Sequence, residues 1–367
     1  MYAFDKRVVM TLDAGGTNFV FSAIRSNEEI VAPITLPSRA DDLERCLDTL
    51  VTGFSAVKMK LKEPPVAISF AFPGPADYVN GIIGDLKNLP AFRGGVPLGA
   101  FLEAKFGVPV FINNDGDLFA YGEALAGALP EVNRMLKEAG KQKRYRNLIG
   151  ITLGTGFGGG LVHDGELFIG DNGAAAEVWG IRDKRDPRYG TEEGISIRAI
   201  KREYAGLSGD RRELTPKEIF DIAEGTLDGD GAAARQAFAH AGEVLGETLA
   251  TINTVVDGIA VIGGGIAKAH KYLIPAAMTA LNGHLESPDG DRVDRMEMKA
   301  FFLNDPRDVV RFLASTTVPI PVPGTGQTVD YDPVKRMGVV ITKLGTSKAV
   351  ALGAYAFALN ELDREKA

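Results

Sequence analysis

The chain has 367 residues, a net charge of −7, and 44 glycines against one cysteine and one tryptophan. Its length exceeds one typical hydrophobic core and predicts two domains. The acidic balance, with no long basic stripe, argues against nucleic acid as the main partner. The lone Cys46 excludes a disulfide framework and any cysteine-rich zinc site.

In chain order, Val8-Val9-Met10-Thr11-Leu12-Asp13 reads as a buried strand that runs into Gly15-Gly16-Thr17. Asn18 to Ser26 alternates as a returning strand should. A turn follows at Arg25-Ser26-Asn27, then a third strand over 29–36. Asp41 to Lys62 has helical period, and it places Cys46 among Leu43, Leu47 and Leu50 as a core thiol. A strand over 65–77 ends in a Gly-Pro loop. A helix over 97–107 leads to the strand Val108 to Asp115. The next helix is expected near Leu118, with Asp117 at its N-cap. The polar stretch 130–147 reads as a solvated helix end and loop.

A second strand, glycine turn and strand occupy 147–170, with an Asp164-Gly165 turn closing the hairpin. The charged run from about 180 to 213 is expected to be loop or lid. Thr215-Pro216-Lys217-Glu218 is a helix start with Thr as N-cap, Pro at N1 and Glu at N3. A long helix covers Ala232 to Val256. A third strand then runs into Gly263-Gly264-Gly265, and a small-residue helix ends the chain. The repeated strand–glycine–strand pattern suggests two related halves.

The stretch Gly154 to Gly159 matches G-x-G-x-x-G in form. A dinucleotide fingerprint needs a helix directly after it, and here a strand follows. Gly140-Lys141 is followed by Gln142, so no Walker A loop is present. What remains is a hairpin-type anion cradle of backbone N–H groups. Asp13 beside such a cradle would repel phosphate without an intervening cation, which points to Mg²⁺.

At these residues the chain resembles the ROK family of bacterial sugar kinases and repressors, part of the actin-like ATPase superfamily. The matching segments are LDAGGTNFVFSAI, ISFAFPGPAD, NLPAF, VFINNDGDLFAYGEA, ITLGTGFGGGLVHDGELFIGDNGAAAEVWG, TPKEIFDIAEG and IAVIGGGIAKA. They occur in family order over residues 8–272, and 285–345 matches none of the pattern.

The resemblance implies an α/β fold of two actin-like (ribonuclease H-like) domains with a central nucleotide and sugar cleft. The smaller domain would be 1–117 with the C-terminal helix 347–367, the larger 118–346. The resemblance assigns Gly15, Gly16 and Thr17 to the first phosphate loop and Gly154, Thr155 and Gly156 to the second. Gly263, Gly264 and Gly265 would approach the nucleoside. Asp13 would face Mg²⁺, directly or through water. Asn114 and Asp115 match the sugar-binding pair, with Asp115 as general base. Glu177 and Glu193 would bind sugar. The residue types suit the chemistry, because phosphoryl transfer to a hydroxyl needs positioning, charge neutralisation and a carboxylate to take a proton.

Two departures stand at the sugar end. The family's Glu-x-Gly-His is Glu177-Val178-Trp179-Gly180 here, so the histidine is replaced. With the zinc cysteines also missing, no structural zinc is expected. Trp179 reads either as partly buried core, or as a sugar-stacking face or plug at the vacated position. Asp-Gly-Asp at 115–117 replaces the usual Asp-Ala-Asn. His163, His240, His270 and His284 are scattered through the sequence.

The expected function is therefore a cytoplasmic ATP-dependent hexose kinase acting on a small-molecule sugar, at C6 and glucokinase-like, with a homodimer as the family expectation. The alternatives are an N-acetylhexosamine kinase, and a non-catalytic sugar or nucleotide sensor or regulator. A repressor of this family needs an N-terminal helix-turn-helix, for which Val8 as strand start leaves no room. A membrane partner is not expected.

Overall fold

A computed structural model describes residues 2–15, 17–74, 76–84 and 90–364. Gly16 of the first glycine loop lies outside the described residues, as do Asn88 and Leu89 of NLPAF.

Strand β1 (Val9–Ala14) turns through Gly15 into β2 (Asn18–Arg25), with which it pairs antiparallel. The expected third strand is instead two short ones, β3 (Glu28–Glu29) and β4 (Ile34–Pro37), both on β2. Pro33 between them has no N–H to give to a continuous ladder. Helix α1 (Leu43–Lys60) is capped by Asp42, whose side chain accepts from Arg45 N. Strand β5 (Ala67–Ala71), the short hairpin β6 (Ala76–Asp77) and β7 (Ile82–Ile83), helix α2 (Leu98–Phe106) and strand β8 (Val110–Asn113) follow. Then come α3 (Asp115–Ala126) and α4 (Ala128–Glu138).

Strand β9 (Leu148–Leu153) precedes the hairpin β10 (Phe157–His163) and β11 (Glu166–Phe168). Asp164 and Gly165 close that hairpin with φ of 52° and 85°, the backbone a two-residue turn needs. The stretch expected to be loop holds α5 (Glu192–Ile195) and α6 (Ile197–Ser208). Its charges concealed an apolar side, Ala199, Ile200 and Tyr204, which is buried. Helix α7 (Pro216–Glu224) starts with the expected capping box of Thr215 and Glu218. The chain continues through α8 (Gly231–Val256), β12 (Ile259–Gly263) and α9 (His270–Leu281). The unplaced stretch contains β13 (His284–Glu286), β14 (Arg292–Asp294), β15 (Lys299–Phe302), α10 (Pro306–Leu313), β16 (Val318–Pro321), β17 (Thr328–Tyr331) and β18 (Arg336–Ile341). Helix α11 (Thr346–Arg364) is the last element.

The chain divides into two compact units, Met1–Pro130 with Gly159–Ala176 and Thr342–Ala367, and Glu131–Gly158 with Glu177–Ile341. In the first, the sheet order is β3-β2-β1-β5-β8, with β1, β5 and β8 parallel. Alternation along β1 sends Met10 and Leu12 into a core with Phe21, Phe54 and Phe70, beneath α1. Cys46 is in that core, and burial pushes its thiol up to about 11, so it is an inert packing residue. Val9 faces the other way, into a cluster with Leu352, Tyr355 and Leu359 of α11.

Helices α3 and α11 cross with almost no separation. A Cβ on Gly122 would sit 1.9 Å from the Ala349 carbonyl oxygen, and one on Gly353 1.9 Å from that of Leu118. Glycine at both places is what lets the backbones touch.

In the second unit β9, β12, β18 and β15 lie side by side in that order, all parallel. β12 is buried at every position, as a strand covered on both faces must be. The stretch that matched no family pattern thus supplies two strands of the central sheet. Its hairpins β13–β14 and β16–β17 are separate two-stranded sheets.

Candidate functional site

Parallel pairing sets the geometry of the candidate residues in the first unit. Asp13 pairs with Ala71, and Ala71 with Asn113, so the carboxyl ends of β1, β5 and β8 share one edge. Ligands of open parallel sheets bind at this edge. Asp13 leaves β1 on the side opposite Leu12, the side on which α11 packs, and is exposed. Gly15 follows, where an added Cβ would lie 2.8 Å from the Asn18 carbonyl oxygen. Thr17 is exposed, and its carbonyl accepts from Ser38 N at 2.9 Å.

Helix α3 starts three residues earlier than the sequence suggested. Asn114, not Asp117, is the N-cap, and its side-chain oxygen accepts from Gly116 N at 2.7 Å. Asp117 is buried within the first turn. Asparagine is a strongly preferred N-cap residue, and the Asn114 bond to Gly116 N sets the helix start. A Cβ on Gly116 would meet the Gly159 carbonyl oxygen at 2.4 Å, so the helix begins against the β10 backbone.

Asp115 is the first residue of α3, and its carboxylate also accepts from Gly116 N, at 2.9 Å. Its edge stays open to solvent, while most of its surroundings are protein. That desolvation raises its pKa above the ordinary carboxylate value. Hydrogen bonds from its own and the Gly116 backbone N–H oppose the rise, and the negative charge of Asp13 adds to it. The structure therefore brings Asp13, Asn114 and Asp115 together.

In the second unit the glycine turns are built on β9 and β12. Thr152 pairs with Gly263, so the turns after these strands leave the same sheet edge. The Gly154–Gly156 turn is closed by a hydrogen bond from Gly154 N to Gly156 O at 3.0 Å. Gly264 has φ of 93°, and a Cβ there would lie 2.2 Å from the Leu153 carbonyl oxygen. Gly265 faces open space. The second and third glycine loops are thus neighbours.

Glu192, not singled out in the sequence, holds the second loop in place. Its carboxylate accepts from Phe157 N at 2.9 Å. It also pairs with Arg198 at 2.5 Å. Glu193 pairs with Arg198 at 2.6 Å and Arg202 at 2.8 Å, and these guanidiniums hold its carboxyl below the usual range. The sequence signal was a doubled glutamate ahead of two arginines at i, i+4 spacing on α6.

Glu177 caps a 3-10 turn over Val178–Gly180 and is exposed. Its carboxylate accepts from the Trp179 indole N–H. Thr191 joins this turn to α5, since its hydroxyl donates to Val178 O at 2.7 Å. Glu177 and Glu193 therefore belong to one loop cluster with Glu192 and the Gly154–Gly156 turn. Trp179 is 52% exposed, so the core reading of this residue is corrected.

The described carboxylates and histidines form no group of three that could hold a metal. Mg²⁺ commonly takes one or two carboxylates, completing its shell with phosphate and water, and the Asp13 and Asp115 pair suits it. No helix among the described residues is long and apolar enough to cross a membrane.

A crystallised glucokinase from Parabacteroides distasonis ATCC 8503 is similar to this chain, with 55% identity, a TM-score of 0.88, and coverage of 98% of this chain and 99% of that one. The ROK hexokinase from Thermus thermophilus shares the fold at a TM-score of 0.67 and 20% identity, covering 96% and 99%. An N-acetyl-D-glucosamine kinase from Vibrio parahaemolyticus is 30% identical over 268 residues, 70% of this chain and 83% of the relative. The ROK family model matches residues 9–297, and the chain belongs to the ROK family.

Proposed function

We propose that this chain is an ATP-dependent sugar kinase that transfers the γ-phosphoryl group to the C6 hydroxyl of a hexose. The observation that carries the reading is the placement of Asp115 beside Asp13 at the carboxyl edge of β1, β5 and β8. A hydroxyl becomes a competent nucleophile when a positioned carboxylate takes its proton. Asp115 is held by the Gly116 N–H, and its raised pKa makes it a better acceptor than a solvated carboxylate. The sugar oxygen bonds to the γ-phosphorus, the bond to the ADP oxygen breaks, and the proton stays on Asp115.

Asn114 spends its carbonyl oxygen on the cap, leaving its amide N–H₂ to donate to a sugar hydroxyl. Glu177 and Glu193 accept from other hydroxyls. Gly15, Gly16 and Thr17, with Gly154, Thr155 and Gly156, offer backbone N–H groups to the phosphates, and Gly263, Gly264 and Gly265 approach the nucleoside. Asp13 would hold Mg²⁺, whose charge neutralises the transferring phosphates.

Glucose is the first candidate sugar, given the 55% identity to a glucokinase over nearly the whole chain. N-acetylglucosamine is the second, given the Vibrio relative. The test is sugar-dependent ADP release from Mg²⁺-ATP across hexoses and N-acetylhexosamines, with Asp115→Asn in parallel. Removal of the base should lower kcat by about 10²- to 10⁴-fold. Tight sugar binding with no turnover would instead favour a sensor.

A further inference from the structure

Trp179 has no counterpart in the Glu-x-Gly-His pattern, and the phosphoryl-transfer chemistry does not use it. Its surroundings show why it is neither a core residue nor a loose surface one. The 3-10 turn that bears it is clamped on both sides. Val178, next to it, is 3% exposed. Thr191 donates from its hydroxyl to Val178 O and from its N–H to Ile181 O, each at 2.7 Å. A Cβ on Gly190 would lie 2.3 Å from the Trp179 carbonyl oxygen, so the loop strand passes directly against the turn. The indole is thus presented from rigid backbone, half in solvent, with its N–H already given to Glu177.

An exposed aromatic face beside a carboxylate is a combination suited to carbohydrates. The carboxylate accepts from hydroxyls, while the ring's negative face receives the weakly positive C–H bonds of one sugar face. A pyranose with all ring hydroxyls equatorial presents such a C–H face unbroken. An axial hydroxyl projects from one ring face only, and where that is the stacked face it would place an unpaired polar group on the indole.

We propose that Trp179 is the specificity-determining platform of the sugar site: it stacks on the C–H face of a gluco-configured pyranose and, through its N–H, orients Glu177 toward the hydroxyl edge. This rests on the sugar-kinase reading above and narrows its substrate class to hexoses and N-acetylhexosamines whose stacked face carries no axial hydroxyl: axial groups at C2 and C4 lie on one ring face and at C3 on the other, so either the C2 and C4 epimers or the C3 epimer is disfavoured.

Trp179 is the only tryptophan in the chain, so emission excited at the red edge, where the nine tyrosines do not absorb, reports on this residue alone. The experiment titrates the full-length protein with glucose, N-acetylglucosamine, mannose, allose and galactose, following fluorescence. In parallel, KM and kcat are measured for wild type, Trp179→Phe and Trp179→Ala, with circular dichroism confirming the fold. Gluco-configured sugars should change the emission saturably, with a midpoint near their KM.

Trp179→Ala should raise KM for the preferred sugar by roughly 10- to 100-fold, the loss of one stacking contact and one charge-assisted hydrogen bond. It should also shrink the preference over the epimers whose axial hydroxyl lies on the stacked face, mannose and galactose or else allose, and change kcat much less. Trp179→Phe keeps a stacking face and loses the N–H, so it should retain the preference and show part of the KM rise. If wild type turns over a sugar while saturating sugar leaves the emission unchanged and Trp179→Ala keeps KM and preference, the platform is refuted and the kinase stands. If no sugar is turned over, the kinase reading fails. The titration then decides the platform alone: a saturable response to gluco sugars supports it, and a flat one overturns it.

Discussion

Replacing Gly122 or Gly353 by alanine tests how α3 is held. Each new Cβ would start 1.9 Å from a carbonyl oxygen of the facing helix, Ala349 or Leu118. A tolerable C···O approach is roughly 3.3 Å, so the helices must separate by about 1.4 Å at the crossing. The obstacle is backbone, which has no rotamer to change. Overpacking of this kind costs about 1–3 kcal/mol or more, and the helix-propensity gain of alanine over glycine returns up to about 1 kcal/mol.

Each single variant should therefore lose about 1–3 kcal/mol, read as a lower urea midpoint by far-ultraviolet circular dichroism. The double variant should cost little more than either single, because one separation accommodates both methyl groups. That non-additivity should be about 1–2 kcal/mol. Since Asp115 opens α3, the same movement should lower kcat, by up to about 10²-fold for a 1 Å displacement. Single variants as stable as wild type, or a double variant whose cost is the full sum, would refute the argument that the crossing is set by backbone contact.

Asp115→Asn should also stabilise the fold at neutral pH. The folded-state pKa of Asp115 is raised, so its ionised form is disfavoured on folding. The penalty is fully present above the folded pKa, and it vanishes below the unfolded value of about 3.9, where both states are protonated. Thermal melts of both proteins should thus differ at pH 8 and converge as the pH falls through the folded pKa. A difference that grows toward acid would contradict the sign. In the second unit, Gly264→Ala must place an L-residue at φ 93° and 2.2 Å from Leu153 O, and should destabilise by about 2–4 kcal/mol. Gly265→Ala, with nothing within 4 Å, should stay within about 0.5 kcal/mol in the same urea titration.

Local pattern was enough wherever a feature depends on neighbours in the chain. The strand–glycine–strand turns followed from period-two alternation, and the Thr215–Glu218 capping box from residue types three apart. The carboxylate at the end of β8 was visible because a buried apolar run points to its own boundary. Charge, by contrast, masked α5 and α6. Glu192, Glu193, Arg198 and Arg202 look like a solvated loop until they are seen paired to one another across a helix start.

Only the tertiary structure decided what the first turn of α3 packs against, the Gly159 backbone far along the chain, which requires glycine at 116. The same holds for the role of Glu192, whose partner is Phe157 N, and for the exposure of Trp179, which the clamp of Gly190 and Thr191 imposes. The chemistry at each position was written in the residue type. Which groups meet was not, since proximity across tens to hundreds of residues is created by packing and leaves no local period to read.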